Sequence, residues 1–200
     1  MFDDSFKTIR RPSEGLYKEK GSKFLAFAHP VESIGEVKRL LDEYRKIHHD
    51  ARHVCYAYAL GFDGSDTRSN DDGEPSGTAG RPILGQIQSN GLTHVLVVVV
   101  RYFGGILLGT GGLAVAYKAA AGAALLAAEK VEMTVNVDFS IRFEFPSMNE
   151  VMKLVKKLDA SILSQDYLLD CGMKLRIRKK EAEHLETALA KIETLRFETT

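Results

Sequence analysis

The sequence predicts an α+β protein of two domains, residues 1–130 and 131–200, and three observations carry that assignment. From Thr134 onward the apolar pattern switches between a period of two and a period near 3.6, in the order strand, helix, strand, strand, helix, strand. Before Lys130, strand-like runs alternate with helical stripes around two polar, glycine-rich segments. Residues 130–133 lie between the two patterns and mark the boundary. A chain of 200 residues, 44% hydrophobic and 27% charged, can bury a core in each part.

In the first part, GLYKEKGSKFLAFA reads as a strand pair. Ser33 and Glu36 form a capping box before a helix with Ile34, Val37, Leu40, Leu41, Tyr44 and Ile47 on one stripe. VCYAYAL is apolar on both faces, the pattern of a central strand. The 22 residues 61–82 are polar, and a short helix through ILGQIQ comes after them, then the strand THVLVVVV. RYFGGILLGTGG opens into a long small-residue helix, LAVAYKAAAGAALLAAEK. With a helix between them, VCYAYAL and THVLVVVV are expected to be parallel neighbours. Both polar segments would then leave the C-terminal edge of one sheet, where open α/β sheets place ligands.

In the second part Val135, Val137, Phe139, Ile141, Phe143 and Phe145 alternate with mostly polar residues. Ser147 and Glu150 form a second capping box ahead of Met148, Val151, Met152, Val155 and Leu158. Strands around SILSQDYLL and CGMKLRIR come next, then a helix with Ala182, Leu185, Leu189 and Ile192 on one stripe, and a last strand near LRFET. This order is ferredoxin-like, a four-stranded sheet with both helices on one face. Met173, Leu175 and Ile177 then point toward the helices, so Lys174, Arg176 and Arg178 point away, with Arg142 beside them. Such a basic face is either simply solvated or binds RNA backbone or a protein. It lacks the aromatic pair on which RNA-recognition modules stack bases.

Basic and acidic residues number 27 each, which excludes a polycation and any expectation of DNA specificity. No signal-peptide core opens the chain, and the longest apolar runs fall short of the ~20 residues a bilayer requires, so a cytoplasmic location without a membrane segment is expected. Cys55 and Cys171 sit in apolar strand patterns and read as buried, reduced thiols. In HHDARH, adjacent His48 and His49 point about 100° apart on a helix end, which disfavours a shared tetrahedral metal site. The carboxylates of residues 61–82 do not fit a calcium-loop register, and Ser76 lacks a nucleophile elbow. No metal, cofactor or catalytic set is expected.

Residues 71–82, DDGEPSGTAGRP, alternate glycine hinges with proline stiff points, which favours a shaped loop over a tether. The candidate cleft takes His53, Asp71, Asp72, Gly73, Glu74, Ser76, Thr78, Gly80 and Arg81 from one side. From the other it takes Arg101, Tyr102, Gly104, Gly105, Gly109, Gly111 and Gly112. Arg101 is within reach of Asp71, Asp72 or Glu74, and these carboxylates are expected to organise Arg81, Arg101 and backbone amides. Gly109, Gly111 and Ala114 meet the spacing G-x-G-x-x-A at a helix start. Two readings stay open there: amides that hold a phosphate, or glycines that let the helix lie close to the sheet.

HVCYAY (53–58), DDGEPSGTAGRP (71–82) and VVVRYFGGILLGTGG (98–112) together resemble the IMPACT family, in its bacterial YigZ/YvyE-like branch. The resemblance is strong over residues 15–125. It implies an N-terminal domain similar to domain 2 of ribosomal protein S5 and domain IV of elongation factor G, and a C-terminal domain similar to domain V of that factor. Eukaryotic members are linked to translational control through the amino-acid-starvation kinase. They carry an additional N-terminal interaction domain, and no counterpart to it is expected in this chain.

These readings lead to three expectations of function. The first is a non-enzymatic factor that binds RNA or the ribosome, with Arg142, Lys174, Arg176 and Arg178 as the nucleic-acid face. The second is a nucleotide- or phosphate-binding enzyme that uses the cleft. The third is a protein-interaction module whose cleft is a structural ion-pair network.

Overall fold

The computed structural model describes residues 4–167 and 170–199; Leu168 and Leu169, at the end of the expected SILSQDYLL strand, lie outside them. The chain divides into two compact units. The larger comprises residues 6–133, and the smaller joins Asp4 and Ser5 to the chain from Thr134 onward.

The larger unit holds a five-stranded sheet built from β2 (Ser13–Glu19), β3 (Ser22–Pro30), β4 (His53–Leu60), β5 (Asp66–Asn70) and β6 (Val95–Tyr102). The strand order is β2-β3-β6-β4-β5. Short β1 (Ser5–Ile9) pairs separately with β7 (Lys130–Thr134). Helix α1 (Ile34–Ile47) covers one face of the larger sheet, and α2 (Gly80–Ser89) and α3 (Gly109–Ala127) cover the other. That explains the unbroken apolar runs of β4 and β6. Cys55, Ala57, Val97 and Val99 face α2 and α3, while Val54, Tyr56, Val98 and Val100 face α1.

Expectation and structure part company at β4 and β6, which pair antiparallel, His53 opposite Arg101 and Ala59 opposite Val95. The cause lies inside the polar segment. Gly61 and Gly64 take positive φ in a tight turn, and Asp66–Asn70 returns as edge strand β5 along β4. The chain has therefore reversed once before α2, so the helical crossover joins β5 to β6 with β4 between them. A solvated edge strand carries no apolar alternation, and DTRSN has none.

The β2–β3 hairpin closes on Lys20 and Gly21, with φ of 45° and 78°. Two successive positive φ values define the tight turn that suits strand twist. The loop after β6 rests on this turn: Gly104 N–H donates to Ser22 Oγ at 3.1 Å, and a Cβ on Gly104 would overlap the backbone of Gly21 and Ser22. Helix α3 lies equally close to β2, where a Cβ on Gly15 would overlap the backbone of Ala123 and Ala124. Its small residues match that approach.

The smaller unit runs β8 (Asn136–Phe143), α4 (Met148–Lys157), β9 (Ser161–Tyr167), β10 (Cys171–Arg178), α5 (Ala182–Leu189), β11 (Arg196–Thr199). Its sheet has the order β11-β8-β10-β9, with every neighbouring pair antiparallel. Phe139, Ile141, Phe143, Met173, Leu175 and Ile177 pack on Val151, Val155, Leu185 and Leu189 of the two helices. Both cysteines are free and buried. Of the two expected capping boxes, Ser33 accepts from Glu36 N–H at 3.3 Å, and the Glu36 carboxylate accepts from Glu32 N–H at 2.8 Å. Ser147 caps nothing; its hydroxyl meets Thr194 Oγ1 at 3.0 Å. Pro146 starts a 3₁₀ turn over Phe145–Ser147, so Ser147 already has helical dihedrals when α4 begins.

Two glycines on the same stretch should respond oppositely to alanine. Gly104→Ala should lower stability by about 3 kcal/mol or more, because backbone must move. Gly111→Ala, which meets open space in a helix, should be neutral or stabilising by up to about 1 kcal/mol. Urea unfolding of the two variants checks both.

Candidate functional site

Residues 71–80 form a bend that its own carboxylates hold in shape. Asp71 accepts three backbone N–H bonds, from Gly77 at 2.8 Å, Ala79 at 2.9 Å and Gly80 at 2.8 Å. Helix α2 begins at Ala79 and Gly80 without a capping side chain of its own, so Asp71 caps it from a distance. Partial burial pushes the Asp71 carboxyl up, but the three amides, with Arg81 nearby, outweigh this and hold it below its ordinary 3.8. Gly80 allows the bend to close, since a Cβ there would lie 2.7 Å from Asn70 N. Thr78 ties back to the Pro75 carbonyl through its hydroxyl at 2.7 Å.

Asp72 and Gly73 turn the chain with φ of 43° and 85°. The Asp72 carboxylate accepts from Val54 N–H at 2.7 Å and from Arg45 at 3.2 Å, while its carbonyl accepts from His53 Nδ1 at 2.8 Å. A carbonyl only accepts, so Nδ1 carries the proton and Nε2 faces inward, 3.9 Å from Glu74 Oε1.

Glu74 is the buried centre. Its side chain is 3% exposed, and Oε1 accepts from Arg101 Nη1 at 2.6 Å and from Tyr117 O–H at 2.8 Å. The Arg101 guanidinium stacks over Phe24 and Phe103, 5.4 and 5.7 Å from their centroids. The single S–H of Cys55 has two acceptors in reach, the Asp71 carbonyl at 3.0 Å and Tyr117 Oη at 3.3 Å, and burial pushes the thiol well above the usual range. Burial also raises the Tyr117 phenol.

Of the residues expected at the cleft, the structure brings His53, Glu74 and Arg101 together around a cavity of about 410 Å³, with Gly109 at its wall. Asp71 and Asp72 shape the loop from behind. Arg101 takes Glu74 alone among the three carboxylates expected within its reach. Arg81 and Ser76 are exposed, and Arg81 influences Asp71 only through its charge. Tyr102 points to the opposite face of the sheet, where it meets His48 at 2.8 Å and Asp50 at 3.1 Å. Gly104 serves the packing already described, whereas Gly105, Gly109 and Gly111 border open space and Gly112 touches only Leu108. Tyr117 and Arg45 belong to this network although the sequence pattern does not single them out. A lone tyrosine on the buried stripe of an alanine-rich helix is the one signal that points to Tyr117.

On the smaller unit, Arg142, Lys174, Arg176 and Arg178 are exposed on the open face, as the alternation required. Most are not free cations. Arg176 makes two bonds to Asp138, at 2.7 and 2.9 Å, and Lys174 lies 3.9 Å from the same carboxylate. Arg178 grips buried Asp4 with two bonds, at 3.1 and 2.7 Å, and this holds the Asp4 carboxyl below its usual range. Arg142 is different. It pairs in register with Gly172 on one side and Arg196 on the other, in a groove of about 430 Å³. Among the described residues neither Arg142 nor Arg196 has an ion-pair partner.

Fold and site thus define a two-unit α+β protein whose signature loop is organised around a buried carboxylate–guanidinium pair. The Impact N-terminal domain model matches residues 20–125. The chain is 35% identical to the IMPACT family member YigZ of Escherichia coli K12 over 150 residues, 74% of each chain. It is 38% identical over 97 residues to Protein IMPACT of Rattus norvegicus, covering 46% of this chain and 30% of that one. A crystal structure described only as a hypothetical protein superposes with a TM-score of 0.72 at 30% identity, covering 98% of this chain and 97% of that one. The chain belongs to the IMPACT family.

Two variants probe the site. Asp71→Ala should cost about 2–4 kcal/mol, since three buried amides lose a charged acceptor. A depressed carboxyl stabilises fully above its unfolded pKa, near 4, and that contribution fades as pH falls through the lower folded value. Unfolding midpoints measured from pH 6 down to pH 2 should therefore fall more steeply in the wild type than in Asp71→Ala. Separately, Glu74→Ala should cost about 3–5 kcal/mol by leaving Arg101 buried and unpaired. Tyr117→Phe, which removes one donor, should cost about 1–2 kcal/mol in the same denaturation assay.

Proposed function

We propose that this protein is a non-enzymatic cytoplasmic factor that modulates translation by binding RNA, on the ribosome or free, through the open face of its C-terminal sheet. The observation that carries the reading is the cross-strand pair Arg142 and Arg196, two exposed guanidinium groups without carboxylate partners among the described residues. The floor between their strands and β9 is Gly172, over which the Asp166 carboxylate lies, its Oδ2 2.5 Å from where a Cβ would be. Arginine forks match phosphate oxygens, and phosphate contacts give sequence-tolerant affinity. Lys174 borders the same groove, but it shares Asp138 with Arg176, and Asp166 and Glu198 are also present. The balance predicts modest, salt-sensitive binding rather than a polycation's grip. The IMPACT family membership supports the translation-related part, and the resemblance to ribosome-facing domains of elongation factor G supports the choice of partner.

Ribosome co-sedimentation at graded salt tests the reading. Wild type should pellet with ribosomes at low salt, and Arg142→Ala/Arg196→Ala should not. With single-stranded RNA, losing two phosphate contacts should reduce the slope of log K against log salt by about 1.4. A wild type that stays in the supernatant at low salt and does not bind single-stranded RNA would overturn the proposal.

A further inference from the structure

Strand β9 is an open edge of the smaller unit's sheet. All seven of its residues, Ser161–Tyr167, are exposed. Ile162, Gln165 and Tyr167 nevertheless share the helix-side face with Leu175, Met173 and Cys171, their buried partners on β10. The cover given by α4 and α5 thus ends at β10, and Ile162, Leu163 and Tyr167 stay 36%, 43% and 54% exposed. An edge strand also turns alternate backbone N–H and C=O groups outward, and native edges are blunted by lysine, proline or short length. The opposite edge, β11, is four residues long and carries Arg196 and Glu198. β9 has neither lysine nor proline, and its one charged residue is Asp166. Its register passes from Ser164 opposite Lys174 to Ile162 opposite Leu175, so the strand bulges at Leu163 and is regular from Ser164 to Tyr167.

This edge is complementary to itself. Residues 163–167, Leu-Ser-Gln-Asp-Tyr, are chemically symmetric about Gln165. Two antiparallel copies related by a two-fold axis pair each residue with the one equally far beyond the axis. With the axis at Gln165, Leu163 meets Tyr167 of the second copy, Ser164 meets Asp166, and the two Gln165 amides meet each other. Cross-strand neighbours of this kind pack or hydrogen-bond, and no like charges are opposed. Moving the axis to Ser164 would set Asp166 against Ile162, and moving it to Asp166 would set that carboxylate against itself.

We propose that β9 joins a second copy of this chain as an antiparallel pair centred on Gln165. The two four-stranded sheets then form one of eight strands, and because the axis is normal to the sheet, both open faces lie on the same side. Leu163 and Tyr167 cover each other on the helix side, at the margin that α4 and α5 leave bare. One edge pair is a small interface, so the dimer forms at high rather than trace concentration.

Sedimentation velocity of the full chain, from micromolar to near-millimolar concentration, should show the monomer passing into a species of twice its mass. Leu163→Lys places an edge-blunting charge at an exposed position. It should stay monomeric over the whole series, with the wild-type thermal midpoint at the lowest concentration. Oxidative cross-linking reads the register separately. Gln165→Cys should cross-link to itself, whereas Leu163→Cys should do so only when mixed with Tyr167→Cys; Cys55 and Cys171 are buried and do not compete. Arg142→Ala/Arg196→Ala should dimerise as the wild type does, which tells a failure here from a failure of RNA binding. A wild type monomeric at every concentration would overturn the proposal and leave the edge to a different polypeptide. A dimer of Leu163→Lys, or self-cross-linking of Leu163→Cys as fast as that of Gln165→Cys, would overturn it as well.

Discussion

A carboxylate buried as deeply as Glu74 is stable only with charged and hydrogen-bonded partners, and it takes them from separate elements. Arg101 ends a central strand, Tyr117 projects from a helix behind it, and Glu74 sits on the loop that crosses between them. None of the three can be satisfied elsewhere without leaving a charge or a hydroxyl stranded in an apolar core. The loop thus has one position relative to β6 and α3, and the cavity beside it inherits its shape from that constraint. The carboxylates of Asp71 and Asp72 act similarly on backbone amides, closing the bend and supplying the cap that α2 lacks.

The same loop shows how polarity can hide structure. Expecting β4 and β6 to be parallel came from treating residues 61–82 as one excursion. The edge strand β5 lies inside it, and its polar side chains are those of a solvated edge. The two glycine-rich segments still come together, but at the N-terminal end of β4 and the C-terminal end of β6, because antiparallel pairing sets His53 opposite Arg101. Their proximity is a consequence of register, not of the edge rule for parallel sheets.

On the smaller unit, counting charges along the strand overstates the free basic surface. Arg176 and Lys174 share Asp138 across the β8–β10 pair, and Arg178 is held by Asp4, which is 174 residues away in sequence. Arg196 lies on the last strand, where only the sheet order sets it beside Arg142. Among the described residues, the cations of this face without an ion-pair partner are two arginines on neighbouring strands rather than a stripe of four.

Periodicity alone determined the helices, the buried faces of β8 and β10, the central strands of the larger sheet and the order of elements in the smaller unit. These are local properties, fixed by where apolar side chains recur along the chain. The glycine and proline spacing also determined that residues 71–82 adopt a shape. Only the tertiary structure decided the direction of β4 against β6, the choice of Glu74 over Asp71 and Asp72 as the partner of Arg101, the membership of Tyr117, and which arginines remain unpaired. Each of these depends on contacts between residues far apart in sequence. Their energies come from burial and charge pairing, which no local pattern records.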